Sequence, residues 1–310
     1  MRSYEKCQID SALPITRVAT ETEKAMLAPN SGRRMELPGF EPRFVDFPDY
    51  IFRITDDIWH KRDLDYIANC YAEDCIIHTQ TQTGVKPSTR SVIDATAATL
   101  ESFPDRRLDA DNVIWSCDPH PDGDVFYSSH RITSKMTNLG PSEFGPATGR
   151  KVRVTTFADT IARENDIFEE WLVRDYGAMV KQMGFDPKSV GCSLAKVDKA
   201  KGLSIHADHA PNRESMDHHG AVVETSSEKI ILSLLESGWS DQSVYDYRAR
   251  GDYPYAESLY GPDQVSESRT QWLEGLSNIR FRADHICEVP YLGNAVDVAL
   301  RWSMTADHSG

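Results

Sequence analysis

The segment 167–175 carries the most suggestive chemistry, because alternation gathers several of its side chains on one side of a strand. That side holds Glu169, Trp171, Val173 and Asp175. Trp171 favours this side as the covered one, so the Asp175 carboxyl should be poorly solvated. Desolvation raises the pKa of a carboxyl group and can tune it to act as an acid or base near neutrality. We therefore select Asp175 as a candidate general acid or base.

Two histidines could complete a cluster with this carboxylate. In the segment 125–136, His130 shares one side with Ile132, and the apolar character of that side is typical of a buried face. His78 ends a short apolar segment, from which it could join His130 and Asp175. A structural interpretation stays open for each, in which Asp175 is held by a backbone group or an arginine and His130 is a satisfied core histidine.

A polar stretch near the middle of the chain contains four more histidines: His206, His209, His218 and His219. Clustered histidines raise the question of a metal site, but this spacing matches no standard zinc site. We interpret the stretch as a solvated linker and predict no metal.

The sequence predicts that the elements which position these residues are helices followed by strands. Apolar spacing predicts one or two helices over 52–70, with a polar break near Arg62, and a helix over 91–102 that Pro104 stops. Period-two patterning or short apolar runs predict strands at 75–78, 111–115, 125–136, 151–162 and 167–175. This order predicts an α+β fold rather than alternating βαβ units.

The sequence also contains a diverged internal repeat. The segment 106–114 recurs as 279–287, an offset of 173, and apolar positions upstream keep the same register. After a three-residue deletion, 131–140 aligns with 301–310. The second copy thus ends before any counterpart of the last two strands of the first, which would leave an unpaired sheet edge. Either the chain is a fragment of a longer protein, which we favour, or something else completes that sheet.

Four regions follow from these patterns. They are a low-order extension over 1–45, a first domain over 46–188, a linker over 189–225 and an incomplete second domain over 226–310.

Composition excludes several classes of protein. With 34 basic and 48 acidic residues the net charge is −14, which argues against binding to nucleic acid or an anionic membrane surface. The chain has no apolar run of membrane-spanning length and no signal-peptide pattern at its start. Six scattered cysteines without a CxxC pair indicate reduced thiols. These features predict a soluble cytoplasmic protein.

Several motifs together resemble the SnoaL-like polyketide cyclase family, part of the nuclear transport factor 2-like superfamily. They are the run 59–78, Phe103-Pro104-Asp105, Pro146-Ala147-Thr148-Gly149-Arg150, the pair Trp171 and Asp175, and Gln182-Met183-Gly184. The resemblance covers the first copy almost completely and the second as far as the chain goes. It implies tandem cone-shaped domains, each a curved antiparallel sheet wrapped around N-terminal helices with a pocket inside.

The resemblance also implies a reaction and its residues. In the cyclases the aspartate at the Asp175 position is the acid/base of an intramolecular aldol closure, and no metal or organic cofactor is used. Here His130, and next His78, would donate a hydrogen bond to the enolate. The pocket would be lined by Trp171, Val173, Ile132 and Asn138. Asn138 departs from the family, which often has histidine there; the second copy keeps it as His308.

Two functions follow. The first is a small-molecule enzyme of the aldol cyclase, isomerase or lyase type that acts on a carbonyl substrate. The second is a non-catalytic ligand-binding or pairing module with a cone-shaped pocket. We expect a small-molecule ligand in either case, and association either as an internal pseudo-dimer of the two copies or as a homo-oligomer.

Overall fold

The predicted helical segment 52–70 is an α-helix followed by two short turns of other helix types. Helix α1 (Phe47–Thr55) begins at a capping aspartate and continues into a π-helical turn, Asp56–His60. Arg62 then adopts a left-handed conformation, with φ of 60°, before a 3₁₀ turn at Asp65–Asn69. The break predicted near Arg62 is therefore present.

Helix α2 (Thr89–Ser102) agrees with the helix predicted over 91–102. Ser88 and Ser91 form a capping box, in which each side chain accepts a hydrogen bond from the other residue's backbone N–H. The helix ends just before Pro104, which has no N–H to continue it.

Five strands form one sheet in this part of the chain. They are β1 (Tyr71–Thr79), β2 (Arg107–Asp118), β3 (Val125–Thr137), β4 (Lys151–Arg163) and β5 (Asp166–Arg174). The strand order is β1-β5-β4-β3-β2; β1 runs parallel to β5 and every other pair is antiparallel. The first four predicted strands lie inside these bounds, and the fifth ends one residue early. The α+β prediction is confirmed.

A β-bulge in β5 changes which of its side chains face the interior. Ile161 of β4 pairs with Glu169, but the next residue, Ala162, pairs with Ile167, so the register skips Phe168, which is one extra residue in β5. Because side chains alternate along a strand, one extra residue moves every later side chain to the opposite face.

The structure describes residues 35–79, 88–118, 120, 123–202, 221–253, 257–291 and 294–308. The chain divides into two compact units, a first unit of residues 1–216 and a second of residues 217–310. Among the described helices, none is long and apolar enough to cross a membrane.

An aromatic cluster around Tyr50 packs the segment that contains Phe40 and Phe44 into the core of the first unit. The Tyr50 ring centroid lies 4.9 Å from that of Phe40 and 5.1 Å from that of Phe44, both edge to face. Its hydroxyl donates a hydrogen bond to the Asn165 carbonyl at 2.8 Å, in the turn between β4 and β5. The low-order extension is predicted over 1–45, with Phe44 and Tyr50 among the residues that could pin its end to the fold. Residues 1–34 lie outside the described residues, and Phe40 and Phe44 are buried in the core.

Two further helices follow β5 in the described part of the first unit. They are α3 (Tyr176–Met183) and α4 (Pro187–Ala200). Residues 189–200, predicted as linker, belong to α4, and Val190 and Leu194 pack against the core cluster that contains Met179. The predicted linker histidines lie outside the described residues: His206, His209, His218 and His219.

The second unit contains two helices and two hairpins in its described part. The helices are α5 (Ser226–Glu236) and α6 (Gly261–Leu273), with a 3₁₀ turn at Gln242–Val244. The strands are β6 (Arg250–Tyr253), β7 (Glu257–Tyr260), β8 (Leu276–Pro290) and β9 (Val296–His308), paired as β6–β7 and β8–β9.

The long hairpins of the two units share an unusual detail. The β2–β3 register skips Asp111, and the β8–β9 register skips Asp284, which lies 173 positions later. Thr133 on β3 donates a hydrogen bond from its hydroxyl to the Asp111 carboxylate, and Ser303 on β9 does so to Asp284. Asp111 and Asp284 are 173 positions apart, and Thr133 and Ser303 are 170 positions apart. These are the offsets of the sequence repeat before and after its three-residue deletion.

Because Phe44 is fully buried, Phe44→Ala should lower the free energy of unfolding by about 3–5 kcal/mol, measured by urea denaturation. Leu139→Ala is the control, since Leu139 is 56% exposed and should cost less than about 0.5 kcal/mol. Equal effects of the two substitutions would show that residues 35–45 are not part of the core.

Candidate functional site

Helices α1 and α2 and the inward side of the sheet enclose a cavity of about 360 Å³ in the first unit. This volume is typical of a pocket for a small molecule. Apolar side chains form much of its wall, among them Ile51, Ile54, Ile58, Leu108, Ile132 and Leu172. Seven larger polar side chains also line it, of which Glu143 is exposed to solvent: Tyr71, Arg106, His130, Glu143, Glu170, Arg174 and Tyr176. A mainly apolar wall with a few convergent polar groups is the usual composition of a ligand site.

Glu170 is the acidic group of β5 that faces this cavity. It is 7% exposed, and the Tyr71 hydroxyl on the neighbouring strand β1 donates a hydrogen bond to its Oε2 at 3.2 Å. Burial raises the pKa of Glu170 to about 7, although the positive charge of Arg174 and the hydrogen bond from Tyr71 act in the opposite direction. Near neutrality Glu170 can therefore either accept or donate a proton.

His130 on β3 lines the same cavity and is 1% exposed, so its predicted place on the buried face is confirmed. Burial lowers the pKa of His130 to about 3, so the imidazole is neutral at physiological pH. Its Nε2 is buried and has no hydrogen-bond partner among the described residues. A neutral imidazole in this place can exchange a hydrogen bond with a ligand but carries no charge.

Arg106 enters the cavity from the connection between α2 and β2. Its guanidinium lies over the Trp59 ring, 4.0 Å from the centroid, and donates a hydrogen bond to the Ser134 hydroxyl at 3.1 Å. Burial, and next the nearby positive charge of Arg174, lower the pKa of Arg106 to about 9. The second guanidinium, of Arg174, donates to the Tyr176 hydroxyl at 3.1 Å.

Asp175 is at the N-terminus of α3, not on the cavity wall. Its Oδ1 accepts a hydrogen bond from the Ala178 backbone N–H at 2.9 Å, which makes it the N-cap of the helix. The prediction of an inward Asp175 on the strand is corrected. The bulge at Phe168 turns Glu170 and Arg174 inward, and β5 ends at Arg174.

Trp171, Val173 and His78 lie on the opposite side of the sheet from the cavity. The His78 ring stacks on Trp171 with centroids 4.9 Å apart, and its Nε2 is 2.8 Å from Oε1 of the buried Glu169. Val173 is 58% exposed. The predicted cluster of His78 with His130 does not form, and the predicted pocket roles of Trp171 and Val173 are corrected for the same reason.

The remaining two predicted pocket residues differ in outcome. Ile132 lines the cavity, as predicted. Asn138 is fully buried but holds the loop after β3: its Oδ1 accepts from the Thr148 backbone N–H at 2.9 Å, and its Nδ2 donates to the Gly140 carbonyl at 2.8 Å. Asn138 is therefore a structural residue of the loop.

Sequence reasoning missed Glu170, Tyr71 and Arg106. The available signal was the adjacent pair Glu169-Glu170, because one member of such a pair on a strand must face the covered side. In the part of the chain that the structure describes, no three His, Cys, Asp or Glu side chains come together to hold a metal ion. The expectation of a reaction without metal or organic cofactor stays a prediction.

Residues 49–183 match the family model of SnoaL-like polyketide cyclases. The match starts inside α1, ends at the last residue of α3, and contains every polar residue of the cavity. The family expected from the sequence motifs is thereby confirmed for this region. Among curated proteins, none matches the chain.

Several solved structures are similar to part of the chain. A protein from Jannaschia sp. CCS1, described as a SnoaL-like polyketide cyclase, is 18% identical with a TM-score of 0.37, over 45% of this chain and 92% of its own. IdmH from Streptomyces antibioticus, described as a polyketide cyclase, is 19% identical with a TM-score of 0.36, over 45% and 99%. A SnoaL-like polyketide cyclase from Agrobacterium tumefaciens C58 is 17% identical with a TM-score of 0.34, over 44% and 95%.

The raised pKa of Glu170 predicts a pH dependence of stability. Between its ordinary pKa of 4.5 and about 7, the folded state holds a proton that the unfolded state has lost. Stability should therefore fall by about 3 kcal/mol as the pH rises from 4 to 8. Glu170→Gln should remove this fall.

Urea denaturation of both proteins across that pH range measures the effect. Glu101→Gln, on the exposed side of α2, is the matched control and should keep the wild-type profile. Parallel profiles for wild type and Glu170→Gln would mean that the Glu170 carboxyl is not desolvated.

Proposed function

We propose that the SnoaL-like domain of residues 49–183 is an enzyme that moves a proton α to a carbonyl group in its cavity, with Glu170 as the acid/base. The family implies a small-molecule cyclase or isomerase. The observation that carries the assignment is the buried Glu170 carboxyl on the cavity wall, with a pKa of about 7. A group of this pKa is matched to proton transfer near neutrality.

The proposed reaction starts with ionised Glu170. Its carboxylate removes a proton from the carbon α to the carbonyl, and the C–H electron pair moves to the carbonyl oxygen to give an enolate. The neutral imidazole of His130 donates a hydrogen bond to that oxygen. The enolate carbon then attacks a second carbonyl carbon in an aldol closure, and protonated Glu170 returns its proton to the new alkoxide. In an isomerisation the proton returns to another carbon instead.

Glu170 fits this role better than Asp175. The Asp175 carboxylate accepts a helix-capping hydrogen bond and is not among the residues that line the cavity. The non-catalytic alternative is a binding module with a filled or wholly apolar pocket. The open cavity with Glu170, His130 and Tyr71 on its wall favours the enzyme.

Deuterium exchange tests the proposal with phenylacetone as the probe, since the carbonyl activates its α-hydrogens and the molecule is small enough for the cavity. We expect the wild-type chain to accelerate exchange in D₂O, followed by proton NMR, with a rate that rises with pH to a plateau above about 7. Glu170→Gln should lower the rate roughly 10²–10⁴-fold.

Asp175→Asn is the matched control, because asparagine also caps a helix and should keep the rate within a few-fold. Loss of exchange in Asp175→Asn with retention in Glu170→Gln would return the acid/base role to Asp175. Absence of exchange in the wild type with a range of carbonyl probes would favour the binding module.

We also propose that residues 226–308 are a diverged second copy of the first domain. Support comes from the bulged Asp111 and Asp284, which hold the same register in the two long hairpins and bond to equivalent hydroxyls. A bulge at one position is a specific feature of a strand pair. Pairing between the copies, or between chains, stays a prediction.

Backbone NMR checks the register of the second hairpin. Cross-strand contacts between Ala283 and Trp302 and between His285 and Arg301 should be present, with Asp284 unpaired. A regular ladder through Asp284 would remove the correspondence with Asp111 and contradict the proposed repeat.

A further inference from the structure

Arg106 presents a positive charge to the cavity and has no carboxylate partner in the described part of the chain. Among the described residues, no carboxylate lies within ion-pair distance of its guanidinium, which contacts the Trp59 ring and the Ser134 hydroxyl. Its Nε atom is buried and unpartnered there. A guanidinium that is partly removed from water without an anion costs free energy, so a ligand that supplies one would be favoured.

A second guanidinium faces the same cavity. Arg174 lies near enough to Arg106 that its charge lowers the Arg106 pKa, in addition to burial. Two like charges on one partly buried wall repel each other, and an anion between them would remove the repulsion. The chain as a whole carries a net charge of −14, so this cationic pair is a local feature of the cavity.

We propose that the substrate carries a carboxylate, which Arg106 and Arg174 bind at one end of the cavity while its reacting carbon lies near Glu170. This inference rests on the function proposed above for the same cavity. Arg174 and Glu170 share the inward face of β5 four residues apart, so their Cα atoms are separated by about 13 Å along the strand. A ligand with one or two rings, or a chain of similar length, can reach from one group to the other.

A carboxylate is the anion that suits this wall best. Its two oxygens match the planar fork of a guanidinium, and that of Arg106 is held 4.0 Å from the Trp59 ring centroid. The cavity is mainly apolar, which favours a singly charged organic acid over a more strongly hydrated phosphate group.

Titration calorimetry on the full chain tests the site at pH 7, with benzoate as the probe and benzamide as its neutral analogue. Wild type should bind benzoate at least about tenfold more tightly than benzamide. Arg106→Met should weaken benzoate at least about tenfold and leave benzamide unchanged. Arg107→Met, at the adjacent exposed position, is the matched control and should bind benzoate as wild type does.

Thermal melting separates lost binding from lost folding. Without ligand, Arg106→Met should melt no lower than wild type, because it removes an uncompensated charge from the cavity. Benzoate should raise the melting temperature of wild type and of Arg107→Met, but not that of Arg106→Met.

Three results would overturn the proposal: equal benzoate affinity in wild type and Arg106→Met, equal affinity for benzoate and benzamide, or at least tenfold tighter binding of phenylphosphonate than of benzoate. Glu170→Gln distinguishes this proposal from the acid/base function, since it should bind benzoate at least as tightly as wild type while losing carbonyl exchange. Arg106-dependent benzoate binding without any carbonyl exchange in wild type would support the anion site and reject the enzyme.

Discussion

One extra residue in a strand decides the chemistry of the cavity. The β4–β5 register skips Phe168, and this bulge turns Glu170 and Arg174 toward the interior. Without the bulge, Trp171 and Val173 would face inward and both charged groups would face away from the cavity. The register between the two strands therefore decides that Glu170 and Arg174, rather than Trp171 and Val173, lie on the cavity wall.

Burial acts on Glu170, His130 and Arg106 in a consistent way, because it disfavours the charged form of each. It raises the pKa of Glu170 to about 7 and lowers those of His130 and Arg106 to about 3 and 9. The result is a carboxyl group that titrates near neutrality, a neutral imidazole and a guanidinium that stays charged at neutral pH. One enclosed space thus gives three side chains three different roles.

Local patterns were enough to predict most elements of the first unit. Apolar spacing and the position of Pro104 predicted α2. Alternation predicted β3, with His130 and Ile132 on its inward face. The site was harder to predict, since alternation along β5 without the bulge selected Asp175. The capping role of Asp175 depends on where the strand ends and α3 begins, which the strand pattern alone does not specify.

The sequence by itself determined the kinds of elements, their order and the family of residues 49–183, because these depend on periodicity and short motifs within single segments. The tertiary structure decided that Glu170 faces the cavity, that Tyr71 bonds to it from β1, and that Arg106 lies on the same wall. These facts depend on strand register and on contacts between segments distant in sequence. The single extra residue at Phe168 changes the side of β5 on which Glu170 lies, without altering the alternating pattern on either side of the bulge.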